Sequence, residues 1–312
     1  MTLRRVLLIA LAFAAIAYVV WVVPLGELAR AFAAAKPGWV VSLLVVYLFG
    51  TLAWAERWRA LLRPANVSIS LGEAWRFTIE AQAGGVLLPG GIGGDALRIA
   101  YAQKSAPGAE IAKTIASVGV DRMIGLFTMA AMALVASLAV GVGRLGSLVY
   151  AIALIPILVL AFWAVARNRS IARSSIVNRG IFKKSVAPIL AYTSDERSGK
   201  ALGRAILMSA LVSLVQLSVT RGLVYACGAE PEGEAWIYVG TTIAMIVAAV
   251  PGIPGGWGTA DATYVVLFGR GGISASVALA VCILYRSFWY FSACLGALSA
   301  LLRARNPSFP PS

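Results

Sequence analysis

Apolar residues gather along this chain into long runs separated by short basic segments. A helix needs about 20 apolar residues to cross a bilayer core. The pattern predicts spanning helices at residues 6–23, 39–62, 113–140, 145–166, 205–227 and 273–302. The first run is long for the apolar core of a signal peptide, and further spans follow it, so it is expected to stay as an uncleaved first helix. Two other apolar stretches are too short to cross. Residues 77–88 would make about 18 Å of helix at about 1.5 Å per residue, against a core of about 30 Å. They run into Pro89-Gly90-Gly91-Ile92-Gly93-Gly94-Asp95. Residues 235–250 run into Pro251 and then Pro254-Gly255-Gly256-Trp257-Gly258-Thr259-Ala260-Asp261, and residues 262–268 lead back to Arg270.

Proline and glycine together dismantle a helix. Each half-length stretch is therefore expected to turn back as a re-entrant hairpin, at about 77–104 and 236–269. Both breaks carry Pro-Gly-Gly-X-Gly with an aspartate two or three residues later. Two such breaks in opposite predicted orientation are what an inverted repeat leaves in a sequence. The expected fold is all-α: one integral membrane domain over residues 1–312, a polytopic transmembrane helical bundle with two re-entrant, Gly/Pro-broken hairpins in an inverted-repeat arrangement.

Composition sharpens this picture. Hydrophobic residues make up 60% of the chain and charged residues only 13%, too few to clothe a water-soluble surface. Unbroken apolar runs also differ from the alternating strands of a membrane β-barrel. The net charge is +14. Because the basic residues lie between apolar runs, they point to topology and anionic headgroups, not to nucleic acid. With the N-terminus inside, 21 Lys and Arg fall on the inner side and four on the outer. Both termini are thus expected in the cytoplasm, with a basic cytoplasmic loop at about 167–204. In that loop Arg173, Arg179, Lys183 and Lys184 interleave with Ile176, Val177, Ile181, Phe182 and Val186. This reads either as a surface-lying amphipathic segment or as a solvated loop. Trp54, Trp58, Trp75, Trp236 and Tyr238 are expected as interfacial anchors, and Cys227, Cys282 and Cys294 as small buried hydrophobes.

The chain has no histidine, which argues against zinc, haem and Ser-His-Asp chemistry. Neither glycine-rich break is a P-loop or a dinucleotide turn. No cofactor, metal or catalytic residue is expected.

Charges inside the apolar runs carry the candidate chemistry. Each costs about 2.5–3.5 kcal/mol at a helix centre unless paired or wetted. Asp95, Arg98, Asp121, Arg122, Arg221, Asp261 and Arg286 are of this kind. One reading is salt bridges that hold helices together. The other is a headgroup site. A helix restarting after each break offers free N–H groups and a positive dipole end to phosphate. Arg98, Arg122 or Arg286 could add charge-assisted bonds, and Asp95 and Asp261 could cap the helices or hold the arginines. The candidate substrate-binding set is Gly90, Gly91, Gly93, Gly94, Asp95, Arg98, Asp121, Arg122, Gly255, Gly256, Gly258, Asp261 and Arg286. Adjacent residues do not face each other on a helix, so Asp121 and Arg122 each need a partner elsewhere.

Four motifs carry a family resemblance: Leu88-Pro89-Gly90-Gly91-Ile92-Gly93-Gly94-Asp95-Ala96-Leu97-Arg98, Asp121-Arg122-Met123-Ile124-Gly125-Leu126, Pro254-Gly255-Gly256-Trp257-Gly258 with Asp261, and Tyr285-Arg286. In this order the chain resembles the transmembrane region of lysylphosphatidylglycerol synthases, the flippase-like domain family, over roughly residues 4–305. Asp261 stands where that family usually carries glutamate. Members that make aminoacyl-lipids carry a synthetase domain after the last helix, and none follows here. The resemblance thus implies a chain that is not itself the aminoacylating enzyme. It implies a flippase or transporter of a polar-headgroup lipid (phospholipid, aminoacyl-lipid, or polyprenyl or hopanoid type) in a bacterial inner membrane. Its expected partners are membrane lipids and a separate lipid-synthesising enzyme. The alternatives are a membrane-embedded lipid-modifying transferase, with a base among Asp95, Asp121 and Asp261, and a non-catalytic partner subunit of a lipid-synthesis complex.

Overall fold

The structure is a computed structural model. It describes residues 17–19, 21–87, 92–140, 154, 189, 192–193, 197–249 and 256–305. Among these every regular element is a helix: α1 (Leu25–Ala34), α2 (Pro37–Leu62), α3 (Leu71–Leu87), α4 (Ile92–Ser105), α5 (Ile111–Val140), α6 (Ser198–Ala226), α7 (Ala235–Ala248), α8 (Thr259–Gly269) and α9 (Ala275–Arg305), with a 3-10 turn at Arg63–Ala65. Most of the expected helix at 6–23, the span at 145–166, most of the basic loop at 167–204 and both hairpin tips (88–91 and 250–255) lie outside the described residues.

Local chemistry sets the ends of these helices. Proline occupies the first turn of α2, where its missing N–H costs nothing. The 3-10 turn after α2 stops at Asn66, which adopts a left-handed conformation with φ of 60°. A capping box opens α3: Glu73 accepts the Ser70 N–H at 2.7 Å and Ser70 Oγ accepts the Glu73 N–H at 3.2 Å.

Among the described residues, four segments are long and apolar enough to cross a membrane: Pro37–Ala65, Ile111–Leu138, Ser198–Ala226 and Ala275–Ala304. Their outward faces expose Val41, Phe49, Leu207, Leu214, Leu298 and Leu301, a surface suited to lipid. The protein is a multi-pass membrane protein.

The order of lengths repeats. A long helix, two short helices and another long helix make up α2–α5, and again α6–α9. Within each half the short helices pack antiparallel. Phe77 of α3 stacks on Tyr101 of α4 at 4.6 Å, and Gly94 of α4 meets Ala81 of α3 nearer the break. In the second half Gly240 of α7 faces Phe268 of α8, and Ala248 faces Gly256.

Packing between the halves follows one exchange rule: replace α2 by α6, α3 by α7, α4 by α8 and α5 by α9. The α3–α9 interface then maps onto α7–α5, α5–α6 maps onto α9–α2, and α2–α6 maps onto itself. The α2–α6 pair runs antiparallel, and the Lys36 N–H donates to the Ala226 carbonyl at 3.2 Å. The internal repeat suggested by two short motifs is thus a repeat of the whole four-helix unit.

Two of the side-chain expectations need correction, those for Trp58 and Cys294. Trp58 is not an interfacial anchor; it is wholly buried against Ala55, Leu62 and Phe77. Trp54 lies beside the Arg98 guanidinium at 4.9 Å, and the Trp75 indole N–H donates to Thr51 Oγ1 at 2.8 Å. Cys294 is exposed, unlike the buried Cys227 and Cys282.

Candidate functional site

Five charged residues converge where α2, α4 and α5 meet. Asp121 of α5 accepts a two-pronged ion pair from Arg57 of α2, at 2.6 Å from Nε and 3.0 Å from Nη2. Arg98 of α4 donates to its second oxygen at 3.2 Å. All three side chains are buried. Arg57 also donates to Ser209 Oγ of α6 at 3.1 Å, and Ser209 shares a 2.6 Å hydrogen bond with Thr128. Trp54 and Trp58 flank the Arg98 guanidinium at 4.9 and 5.3 Å, contacts that favour a desolvated cation. One turn from Arg98, in the first turn of α4, Asp95 pairs with Arg122 at 2.6 Å. Asp121 and Arg122 therefore do find partners on other helices, and different ones.

The second break carries an ion pair in the equivalent place. Asp261 lies in the first turn of α8, as Asp95 does in α4. Arg122 and Arg286 each stand 11 positions after the first residue of α5 and α9. Asp261 pairs with Arg286 at 3.0 Å and accepts the Gly258 N–H at 2.8 Å, so it both caps its helix and holds its arginine. The Cys282 thiol donates to its other oxygen at 2.8 Å, and Trp257 covers the Arg286 guanidinium at 3.9 Å.

Equivalent pairs sit in unlike surroundings. In the first half the side chains of Arg122 and Asp95 are 43% and 25% exposed; in the second, Arg286 and Asp261 are 10% and 7% exposed. A cavity of about 360 Å³ accounts for the difference. Arg57, Asp95, Arg98, Asp121 and Arg122 line it, with Gly94 at the first break and Ala248 and Ala249 just before the second. Trp289, one turn beyond Arg286 on α9, closes another side.

Of the residues singled out in the sequence, Gly94, Asp95, Arg98, Asp121 and Arg122 meet at this cavity, and Gly93 is buried beside them. Gly256, Gly258, Asp261 and Arg286 form the sealed cluster and do not line it. Gly90, Gly91 and Gly255 lie outside the described residues. Arg221 joins neither group: it pairs with Glu234 at 2.7 Å on a half-exposed surface near the end of α6.

Sequence reasoning missed three residues. Arg57 reads as one more basic flank of a span, yet it is the main partner of Asp121. Glu80, buried on α3, accepts from Ser299 at 2.8 Å and pairs with Arg303 on α9. Gln82 is buried and lines the cavity, and neither its amide nitrogen nor its oxygen has a partner among the described residues. Glu80 and Gln82 stand inside the apolar stretch 77–88. The signal that found Asp121 and Asp261 was present there too.

The family model described as lysylphosphatidylglycerol synthase TM region matches residues 7–296. No curated protein matches the chain.

Proposed function

The chain belongs to the lysylphosphatidylglycerol synthase transmembrane-region family, and on that premise we propose that it moves a polar-headgroup lipid across the bacterial inner membrane. The family places its function with membrane lipids. One observation carries the finer reading: two equivalent Asp–Arg pairs, one facing a cavity with charged residues in its lining and the other sealed. A transporter built from two related halves alternates by rocking one against the other around a central site. A conformer caught on one side has one half open and the other shut.

The cavity suits a headgroup. Among the described residues its lining holds three arginines and two aspartates, so one positive charge remains for a phosphate. Gln82 adds an uncommitted donor and acceptor. In this reading the helix pairs α3–α4 and α7–α8 act as re-entrant hairpins that enter from opposite faces. The excess of basic residues on one side supports cytoplasmic termini. The transferase alternative requires a carboxylate free to act as base, but Asp95, Asp121 and Asp261 are all held by arginine.

The test is lipid scrambling in proteoliposomes, read by quenching of labelled phospholipids in the outer leaflet and screened over headgroups. Wild-type protein should move at least one headgroup class, and Asp95→Asn and Asp261→Asn should each slow that movement about tenfold or more. Wild-type rates in both variants would leave the two pairs with a purely structural role.

A further inference from the structure

A second cavity lies well away from the breaks, at the end of the bundle where α2 finishes and α6 begins. Its volume is about 640 Å³, and the described residues that line it are Ala60, Arg63, Arg197, Lys200, Ala201 and Arg204. Four of these six residues are cations. Ala60 and Ala201 are buried, giving a floor of small side chains beneath a charged rim.

The rim is held in place. Arg197 donates to Asn66 Oδ1 at 3.2 Å, tying the start of α6 to the turn after α2. The Tyr192 hydroxyl donates to the Leu61 carbonyl, and Ser198 Oγ donates to the Tyr192 carbonyl at 2.5 Å. Charge balance around the pocket is lopsided. Glu56, the carboxylate beside it, is already shared between Arg59 and Arg204, each at 2.5 Å. Arg63 and Lys200 have no carboxylate partner among the described residues. Asp195 and Glu196, just before Arg197, lie outside the described residues. The first residues of α6 add to the positive field, because no side chain caps that helix and its N-terminal dipole end faces the same region.

We propose that this pocket binds a phosphate group carrying two or more negative charges, at the membrane surface and apart from the transport cavity. Arg63 and Lys200 supply its unspent charges, and Arg197 and Arg204 complete the rim. Charge-assisted bonds to phosphate oxygens suit arginine and lysine in this setting. Such a group arrives either on a lipid headgroup in the adjoining leaflet or on a soluble phosphate compound.

Two probes separate these sources: inorganic pyrophosphate, and phosphatidic acid in mixed micelles with phosphatidylcholine as the neutral reference. Binding to the full chain in detergent is read by calorimetry for the first and by native mass spectrometry for the second. At least one probe should bind wild-type protein; pyrophosphate alone assigns a soluble ligand, and phosphatidic acid alone assigns a lipid. Arg63→Gln/Lys200→Gln should weaken that binding about tenfold or more with an unchanged melting temperature. Arg63→Lys/Lys200→Arg should restore it. Arg30→Gln/Lys36→Gln removes two exposed charges before α2, at the far end of the same helix, and should leave binding intact. Failure of both probes to bind, or equal weakening by the Arg30/Lys36 control, overturns the proposal. Lipid movement is not measured in these assays, so their outcome is independent of the transport reading.

Discussion

The two Asp–Arg pairs share one position in their repeats but not one environment. Around Asp261–Arg286 the second half supplies a backbone N–H, a thiol and an indole face, and the pair is shut in. Around Asp95–Arg122 the first half leaves a cavity, and beside it places a second carboxylate that the other half lacks. Asp121 stands immediately before Arg122, whereas the residue before Arg286 is Tyr285, which meets Tyr47 edge-on at 5.8 Å. One half keeps its extra charge for Arg57 and Arg98, and the other fills the equivalent space with an aromatic ring. The two halves share the scaffold and the pair, but one side is open and rich in charge and the other is closed.

Breaking the first half at its centre should have the largest effect. Asp121→Asn leaves the buried Arg57 and Arg98 guanidiniums without their carboxylate. Loss of one member of a buried pair costs about 3–5 kcal/mol, to be read by denaturant unfolding of the detergent-solubilised protein. Asp261→Asn removes the charge from one sealed acceptor and should cost about 1.5–3 kcal/mol in the same assay.

Gly94→Ala places a methyl group 2.4 Å from the Ala81 carbonyl oxygen, a backbone atom that cannot swing aside. Prising α3 from α4 should cost about 1–3 kcal/mol. Asp95→Asn, at the open pair, should cost about 1 kcal/mol or less, although under the proposed function it should slow lipid movement as strongly as Asp261→Asn. If Asp95→Asn destabilised as much as Asp261→Asn, the contrast between a wet pair and a dry one would fail.

The smallest effect belongs to Glu234, outside the membrane-spanning segments. A hydrogen bond from Arg221, then one from Tyr225, holds its carboxyl below the ordinary 4.5. A carboxyl lowered by folding adds stability that is complete above its unfolded value and disappears as pH falls through its folded value. The melting-temperature difference between wild type and Glu234→Gln should therefore be constant from pH 8 to about 5 and shrink below about 4.5.

Much of the fold was legible because the solvent is lipid. Apolar runs announce helices by length, and Pro-Gly-Gly announces a break wherever it interrupts one. Asp121, Asp261 and Arg286 were legible for the same reason, since an ion in an apolar run needs a partner. The partners themselves were not. Nothing in the sequence brings residue 57 to residue 121, because that contact depends on how α2 crosses α5. Trp58 was misread because a tryptophan near the end of a span looks the same whether it faces headgroups or a neighbouring helix. The unequal exposure of the two pairs was likewise invisible, since the motifs around them are nearly alike.

The self-mapped contact of α2 with α6 bears on any motion of this molecule. If the halves trade places as open and shut, the α3–α9 and α5–α7 interfaces must exchange geometries, while a contact that is its own counterpart has nothing to exchange. The α2–α6 seam is then the hinge pin. A covalent link across it would leave the machine running, whereas the same link across α3–α9 would jam it.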